Sequence, residues 1–205
     1  VLGNHDNPRI ASRMDHPRLA AMLLLTLRGA PTVYYGDEIG MTDADIPPGM
    51  AKDPQSENNP HHNRDPERTP MQWDAGKNAG FSNAEPWLPV SDASNVEAQR
   101  KDPRSILSFF RRLIESRKES PALTVGSYRP LDAGNRFVLA YVREYAEQRI
   151  LVALNFGSEY EVLDVSREAD EGEVLLSTSL DRDGGVSLGK TGLRPREGIM
   201  ISLGP

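Results

Sequence analysis

Cysteine is missing altogether from the 205 residues. Disulfide cross-links are therefore excluded, and a reducing compartment is permitted. With no thiol and only four histidines, a structural zinc site is not expected. Long apolar runs are lacking too. The longest, residues 19–27, is far too short to span a bilayer, so no membrane partner is expected. Basic residues are in the minority, with 24 Lys and Arg against 30 Asp and Glu and a net charge of −6. That balance argues against a nucleic-acid partner, which needs clustered cations. An ordinary beginning is absent as well: Val1-Leu2-Gly3-Asn4 carries neither Met nor a basic-then-apolar leader. It reads as the tail of a buried strand, so truncation is expected, with any address signal upstream. A cytoplasmic setting is the expectation, subject to whatever signal lies upstream of residue 1.

What is present falls into three stretches, long enough together for one compact domain or two small ones. The first, to about Gly40, reads strand, helix, strand, the unit of a parallel α/β fold. Residues 1–3 form the first strand remnant. Asp15-His16-Pro17 starts a helix, with Leu19, Met22, Leu23 and Leu27 at helical spacing and Arg28-Gly29 as its stop. Residues 31–36, β-branched and aromatic, form the second strand. The second stretch, residues 41–102, is polar and rich in Pro, Asn and Asp. A loop of that length inside a domain implies a task. Disorder competes with that reading, but the Met and Trp of Arg68-Thr69-Pro70-Met71-Gln72-Trp73-Asp74 sit among residues that favour ordered turns. Asp102-Pro103 then opens a helix carrying Ile106, Phe109, Phe110, Leu113 and Ile114 on one side. The third stretch changes character near residues 120–126. Short strands are predicted at 137–142, 150–154, 173–176 and 198–203, with turns at Ala133-Gly134-Asn135 and Asp183-Gly184-Gly185. This pattern reads as an antiparallel sandwich or barrel.

Three motifs could carry chemistry. Asn4-His5-Asp6-Asn7-Pro8-Arg9 follows a strand end, where an imidazole and a carboxylate could bind a polyol and stabilise a cationic transition state. Taken alone, it reads more readily as an Asx-type turn with His5 packed. In His61-His62-Asn63-Arg64-Asp65-Pro66-Glu67-Arg68, the adjacent histidines point apart on an extended segment, so no metal is expected there. Arg64 and Arg68 could each hold a carboxylate and a sugar hydroxyl, or belong to a surface ion-pair network with Asp65 and Glu67. In Tyr34-Tyr35-Gly36-Asp37-Glu38, adjacent acids diverge and cannot flank one bond. Glu38 is expected to pair with an arginine, Arg9 or Arg28, and the tyrosines to serve as core or wall.

In order, three strings resemble the α-amylase superfamily (glycoside hydrolase family 13), in its α-glucosidase and oligo-1,6-glucosidase branch. They are Val1-Leu2-Gly3-Asn4-His5-Asp6, then Gly29-Ala30-Pro31-Thr32-Val33-Tyr34-Tyr35-Gly36-Asp37-Glu38-Ile39-Gly40, and Arg64-Asp65-Pro66-Glu67-Arg68-Thr69-Pro70-Met71-Gln72-Trp73-Asp74 with Asn78-Ala79-Gly80-Phe81 after it. The resemblance implies a (β/α)8 TIM barrel followed by an antiparallel β-sandwich. Residues 1–122 would be the last two β/α units with a long active-site loop and the last helix, and residues 123–205 the sandwich. It further implies that His5 contacts the non-reducing glucose and that Asp6 is the third catalytic acid, orienting hydroxyls and stabilising the oxocarbenium-like transition state. Arg64, supported by Arg68, would close the pocket and make the enzyme exo-acting. Glu38 takes no catalytic role, and neither metal nor cofactor is implied.

By the same resemblance, the substrate is a small oligosaccharide with a terminal α-glucosidic bond, cleaved with retention. Nucleophile and general acid would sit on the fourth and fifth barrel strands, upstream of Val1, so the chain alone is expected to be inactive. Two barrel strands cannot close, and the isolated chain is expected to self-associate or need the missing barrel portion. Trehalose synthase or sucrose isomerisation on the same scaffold is the nearest alternative; a non-enzymatic scaffold like the transporter heavy chains is another. Sucrose isomerases carry a further basic-acidic repeat where this chain reads His61-His62-Asn63-Arg64-Asp65. A carbohydrate-binding β module would fit only the residues after Leu123, whose few candidate platform aromatics are Tyr128, Tyr145 and Tyr160.

Overall fold

The computed structural model describes residues 2–47, 49–58, 63–90 and 94–204. Along the chain run α1 (Ile10–Arg13), α2 (Pro17–Thr26), α3 (Pro54–Asn58), α4 (Val96–Lys101), α5 (Ile106–Glu119) and α6 (Pro121–Thr124). The strands are β1 (Ser127–Leu131), β2 (Val138–Tyr145), β3 (Gln148–Asn155), β4 (Glu161–Leu163), β5 (Glu171–Ser177), β6 (Gly185–Ser187), β7 (Thr191–Leu193) and β8 (Gly198–Ser202). Two compact units result: Val1–Pro17 with Pro31–Ser108, and Arg18–Ala30 with Phe109–Pro205.

In the second unit, a six-stranded antiparallel sheet runs in the order β1-β2-β3-β8-β5-β6, and β4 pairs with β7. Side chains alternate along a strand, so each long strand feeds two faces. Val138, Ala140, Val142, Leu151, Ala153, Ile199 and Ile201 join Leu163 and Leu193 of the small sheet in one buried cluster. Tyr141, Val152 and Met200 point the other way and are equally buried. On that face lies α2: a Cβ on Gly198 would come within 2.8 Å of Met22 Sδ and 3.0 Å of Leu19 Cδ1. Helix ends leave carbonyls without partners. Here buried arginines satisfy those of α2. Arg117 donates to the carbonyl of Leu25 at 2.6 Å and Arg143 to that of Thr26, while Arg117 also reaches Gly29 O beyond the helix end at 2.7 Å. The four strands expected after residue 123 all form. The expected turns carry Gly134 at φ 64° and Gly184 at φ 79°.

The first unit departs from the sequence reading. Val1 lies outside the described residues, and neither Leu2-Gly3 nor residues 31–36 form a strand; only an isolated Asn4–Asn7 bridge occurs. β-propensity is realised only against a neighbouring strand, and the described residues supply none beside these segments. Instead the chain turns through Gly36 and Gly40, at φ 88° and 70°. A Cβ on Gly36 would lie 2.5 Å from Met41 Sδ and 2.7 Å from Arg9 Nη1, so glycine is required there. The described residues of the polar stretch make specific contacts. Met71 packs with Ile39, Met41 and Val96, and Trp73 N–H donates to Ala79 O at 2.8 Å. It also holds α4, with Asn95 Oδ1 accepting Ala98 N–H at its start. The next helix begins at Ile106, later than expected, because Asp102 caps a turn at Arg104 N–H first.

Candidate active site

Asn4 shapes the first loop. Its Oδ1 accepts both Asp6 N–H and Asn7 Nδ2–H at 2.9 Å, an Asx turn of the kind the sequence allows. His5 is not packed: its side chain is 66% exposed, with Nε2 3.3 Å from Asp6 Oδ2. Both arginines of the later loop converge on the other carboxylate oxygen. Arg64 Nη1 donates to Asp6 Oδ1 at 2.8 Å and Arg68 Nη2 at 3.1 Å, while Arg68 Nε donates to His5 O at 2.8 Å. The structure thus brings His5, Asp6, Arg64 and Arg68 together. The hydrogen bond from Arg64, reinforced by the nearby charges, holds the Asp6 carboxyl below its ordinary range. Asp6 is therefore an anion at neutral pH, with Oδ2 beside the His5 imidazole and both arginines on Oδ1. Such an edge can accept sugar hydroxyls and stabilise positive charge. His61 and His62 lie outside the described residues.

Asp53 was missed by sequence reasoning. Its carboxylate, buried, takes both Nε (2.7 Å) and Nη2 (2.8 Å) of Arg64. No local pattern marks it, since the pairing depends on how the loop closes. Arg9 is also wholly buried. It lies over the rings of Tyr34 and Tyr35 at 5.0 and 4.7 Å and donates to Tyr35 O at 2.6 Å. The tyrosines form a wall, their hydroxyls donating to Glu67 O and Thr69 O. Glu38 differs from expectation: Oε2 accepts Gly36 N–H at 2.7 Å, and among the described residues it makes no ion pair. The tight turn presents that N–H two residues back, which satisfies the carboxylate locally. Beside Arg68, the half-exposed Trp73 and Phe81 and the exposed Trp87 line a cavity of about 380 Å³.

Comparison with known proteins defines the class. The family model for the alpha amylase catalytic domain matches residues 1–126, and that for the maltogenic amylase C-terminal domain matches residues 128–179. Fold and matches together describe the end of a catalytic domain followed by its antiparallel β domain. The chain belongs to the α-amylase family, glycoside hydrolase family 13. Among its relatives, the salivary alpha-glucosidase of Aedes aegypti is 38% identical over 94% of this chain and 37% of its own length. The probable oligo-1,6-glucosidase 2 of Bacillus subtilis is 33% identical over 86% and 37%. Among solved structures, the trehalulose synthase of Pseudomonas mesoacidophila superimposes with a TM-score of 0.81 at 32% identity, covering 98% of this chain and 42% of that one. The chain spans about two fifths of the length of the relatives it matches.

Proposed function

We propose that the protein carrying this chain is a retaining, exo-acting α-glucosidase that cleaves the terminal α-glucosidic bond of short oligosaccharides. The observation that carries this reading is the convergence of Arg64 and Arg68 on Asp6 Oδ1, with Oδ2 beside the exposed His5. On this reading Arg64, paired with Asp6, closes off the subsite of the terminal glucose. His5 and Asp6 hold hydroxyls of the non-reducing glucose, and the Asp6 anion stabilises the oxocarbenium-like transition state. Nucleophile and general acid, about 5–5.5 Å apart in a retaining enzyme, belong on this reading to polypeptide preceding residue 1. The 205-residue chain alone is then inactive. A cytoplasmic setting is part of the same proposal.

The test is the first-formed product of the complete polypeptide. Proton NMR during hydrolysis of maltose or isomaltose should show α-glucose before mutarotation, with release from the non-reducing end only. β-Glucose first, or internal cleavage of longer glucans, would overturn the reading. A second reading, glucosyl transfer to a sugar hydroxyl as in sucrose isomerisation, is supported by the likeness to trehalulose synthase structures. Disaccharide products in excess of free glucose would select it.

A further inference from the structure

We infer that Asp53 is a positioning residue for the sugar pocket, holding Arg64 so that this arginine shares Asp6 with substrate instead of sequestering it. The inference rests on the reading of Arg64 and Asp6 as the groups that hold the terminal glucose.

The geometry is specific. The Asp53 side chain is inaccessible to solvent, yet its carboxylate accepts four hydrogen bonds. Oδ2 takes the Arg64 backbone N–H at 2.9 Å and Nε at 2.7 Å; Oδ1 takes Arg64 Nη2 at 2.8 Å and Gln55 N–H at 3.2 Å. Two parallel bonds to one edge of a guanidinium fix its plane as well as its position. Asp53 is itself anchored, because its N–H donates to Asp65 Oδ2 at 3.0 Å, and that oxygen also accepts Lys52 N–H at 2.5 Å. Residues 52–53 and 64–65 therefore clamp each other.

The consequence falls on Asp6. With Nε and Nη2 occupied, Arg64 offers Asp6 only Nη1, and only to Oδ1. Released from Asp53, the same guanidinium could turn its paired edge onto both Asp6 oxygens and remove the acceptor that a sugar hydroxyl needs. Charge points the same way. Asp6 and Asp53 balance Arg64 and Arg68, and neutralising Asp53 leaves the cluster with a surplus cation beside Asp6. Asparagine cannot replace the aspartate, since its amide would set a donor against a guanidinium donor.

The experiment is a double-mutant cycle on the complete polypeptide, with maltose or isomaltose as substrate and circular dichroism to verify folding. Asp53→Asn should lower kcat/KM by roughly ten- to a hundredfold, carried by KM more than by kcat, because sugar hydroxyls are held in both ground and transition states. In an Arg64→Ala background, the same change should alter kcat/KM by less than about threefold, because the group it positions is gone. Asp53→Glu, which keeps a carboxylate able to fork, should recover at least about tenfold of the loss. Equal losses from Asp53→Asn in both backgrounds would overturn the inference. Should Asp53→Asn not fold, Arg64→Lys decides. An ammonium cannot fork onto Asp53 while reaching Asp6, so it should lose nearly as much as Arg64→Ala, and wild-type kcat/KM would overturn the inference. If Arg64→Ala itself leaves kcat/KM unchanged, the assignment of the sugar pocket fails instead.

Discussion

Arg64 Nη1 stands 2.8 Å from Asp6 Oδ1, tying together two loops 58 residues apart in sequence. The contact is half exposed, so its value for stability is small. Its chemical effect is larger: it favours the ionised form of Asp6 and leaves the other carboxylate oxygen to His5. The site is thereby organised around one anion held by two cations.

If that anion stabilises a cationic transition state as well as holding sugar hydroxyls, removing its charge should lower turnover while leaving the fold intact. Asp6→Asn in the complete polypeptide is expected to lower kcat on the order of 10²- to 10³-fold. The melting temperature should stay within about 2 °C of wild type, since the side chain is exposed and its pairs lie at the surface. Steady-state kinetics with a parallel thermal melt checks both. Near-normal kcat would remove Asp6 from the mechanism.

A second prediction concerns pH and rests on Asp37. Burial pushes its carboxyl from an ordinary 3.8 up to about 6. Only the Tyr34 N–H donates to it, at 3.2 Å, and Oδ1 has no partner among the described residues. The folded state thus favours the protonated form. An acid with a raised folded pKa lends stability that is full below 3.8 and lost as pH rises through 6. Asp181, drawn down to about 2 by hydrogen bonds from Arg194, has the opposite sign, with stability present above 3.8 and lost as pH falls toward 2. Denaturant unfolding of Asp37→Asn against wild type should therefore show wild type losing on the order of 1 kcal/mol relative to the variant between about pH 4 and pH 7. A difference that stays flat across that window would remove Asp37 as the titrating group.

Legibility in the sequence followed the range of the interactions. β2, β3, β5 and β8 were visible because apolar side chains recur along short runs between glycine turns, and both faces of the sheet are covered. α2 was visible from Pro17 at its start and Leu19, Met22 and Leu23 along it. Residues 31–36 misled because strand composition was present without a strand to pair with. α4 was hidden in a polar stretch whose cap, Asn95, looks like any loop asparagine. At the site, His5, Asp6, Arg64 and Arg68 were legible through resemblance, and the structure joins them. Asp53 was not, because its partner is chosen by loop closure and not by spacing.

The last prediction is that the 205-residue chain, produced alone, self-associates. Unpaired barrel strands do not supply the drive, because residues 31–36 form no strand. Nor do the edges of the six-stranded sheet: β1 carries Pro130 and Arg129, and β6 spans only Gly185–Ser187, both poor templates for pairing. What remains is aromatic surface. Trp73, Phe81 and Trp87 are 47%, 49% and 72% exposed around one cavity, a contiguous apolar patch of the kind that drives association in water. Sedimentation velocity at micromolar concentration should show oligomers of the chain. The pair Trp73→Ser and Trp87→Ser should shift it toward monomer without changing the circular dichroism of the β domain. A wild-type chain that sediments as monomer would mean the patch is too small or too broken to act. Persistent oligomers in the double variant would place the contact elsewhere, most directly on the exposed Val125, Phe137 and Val162 of the second unit.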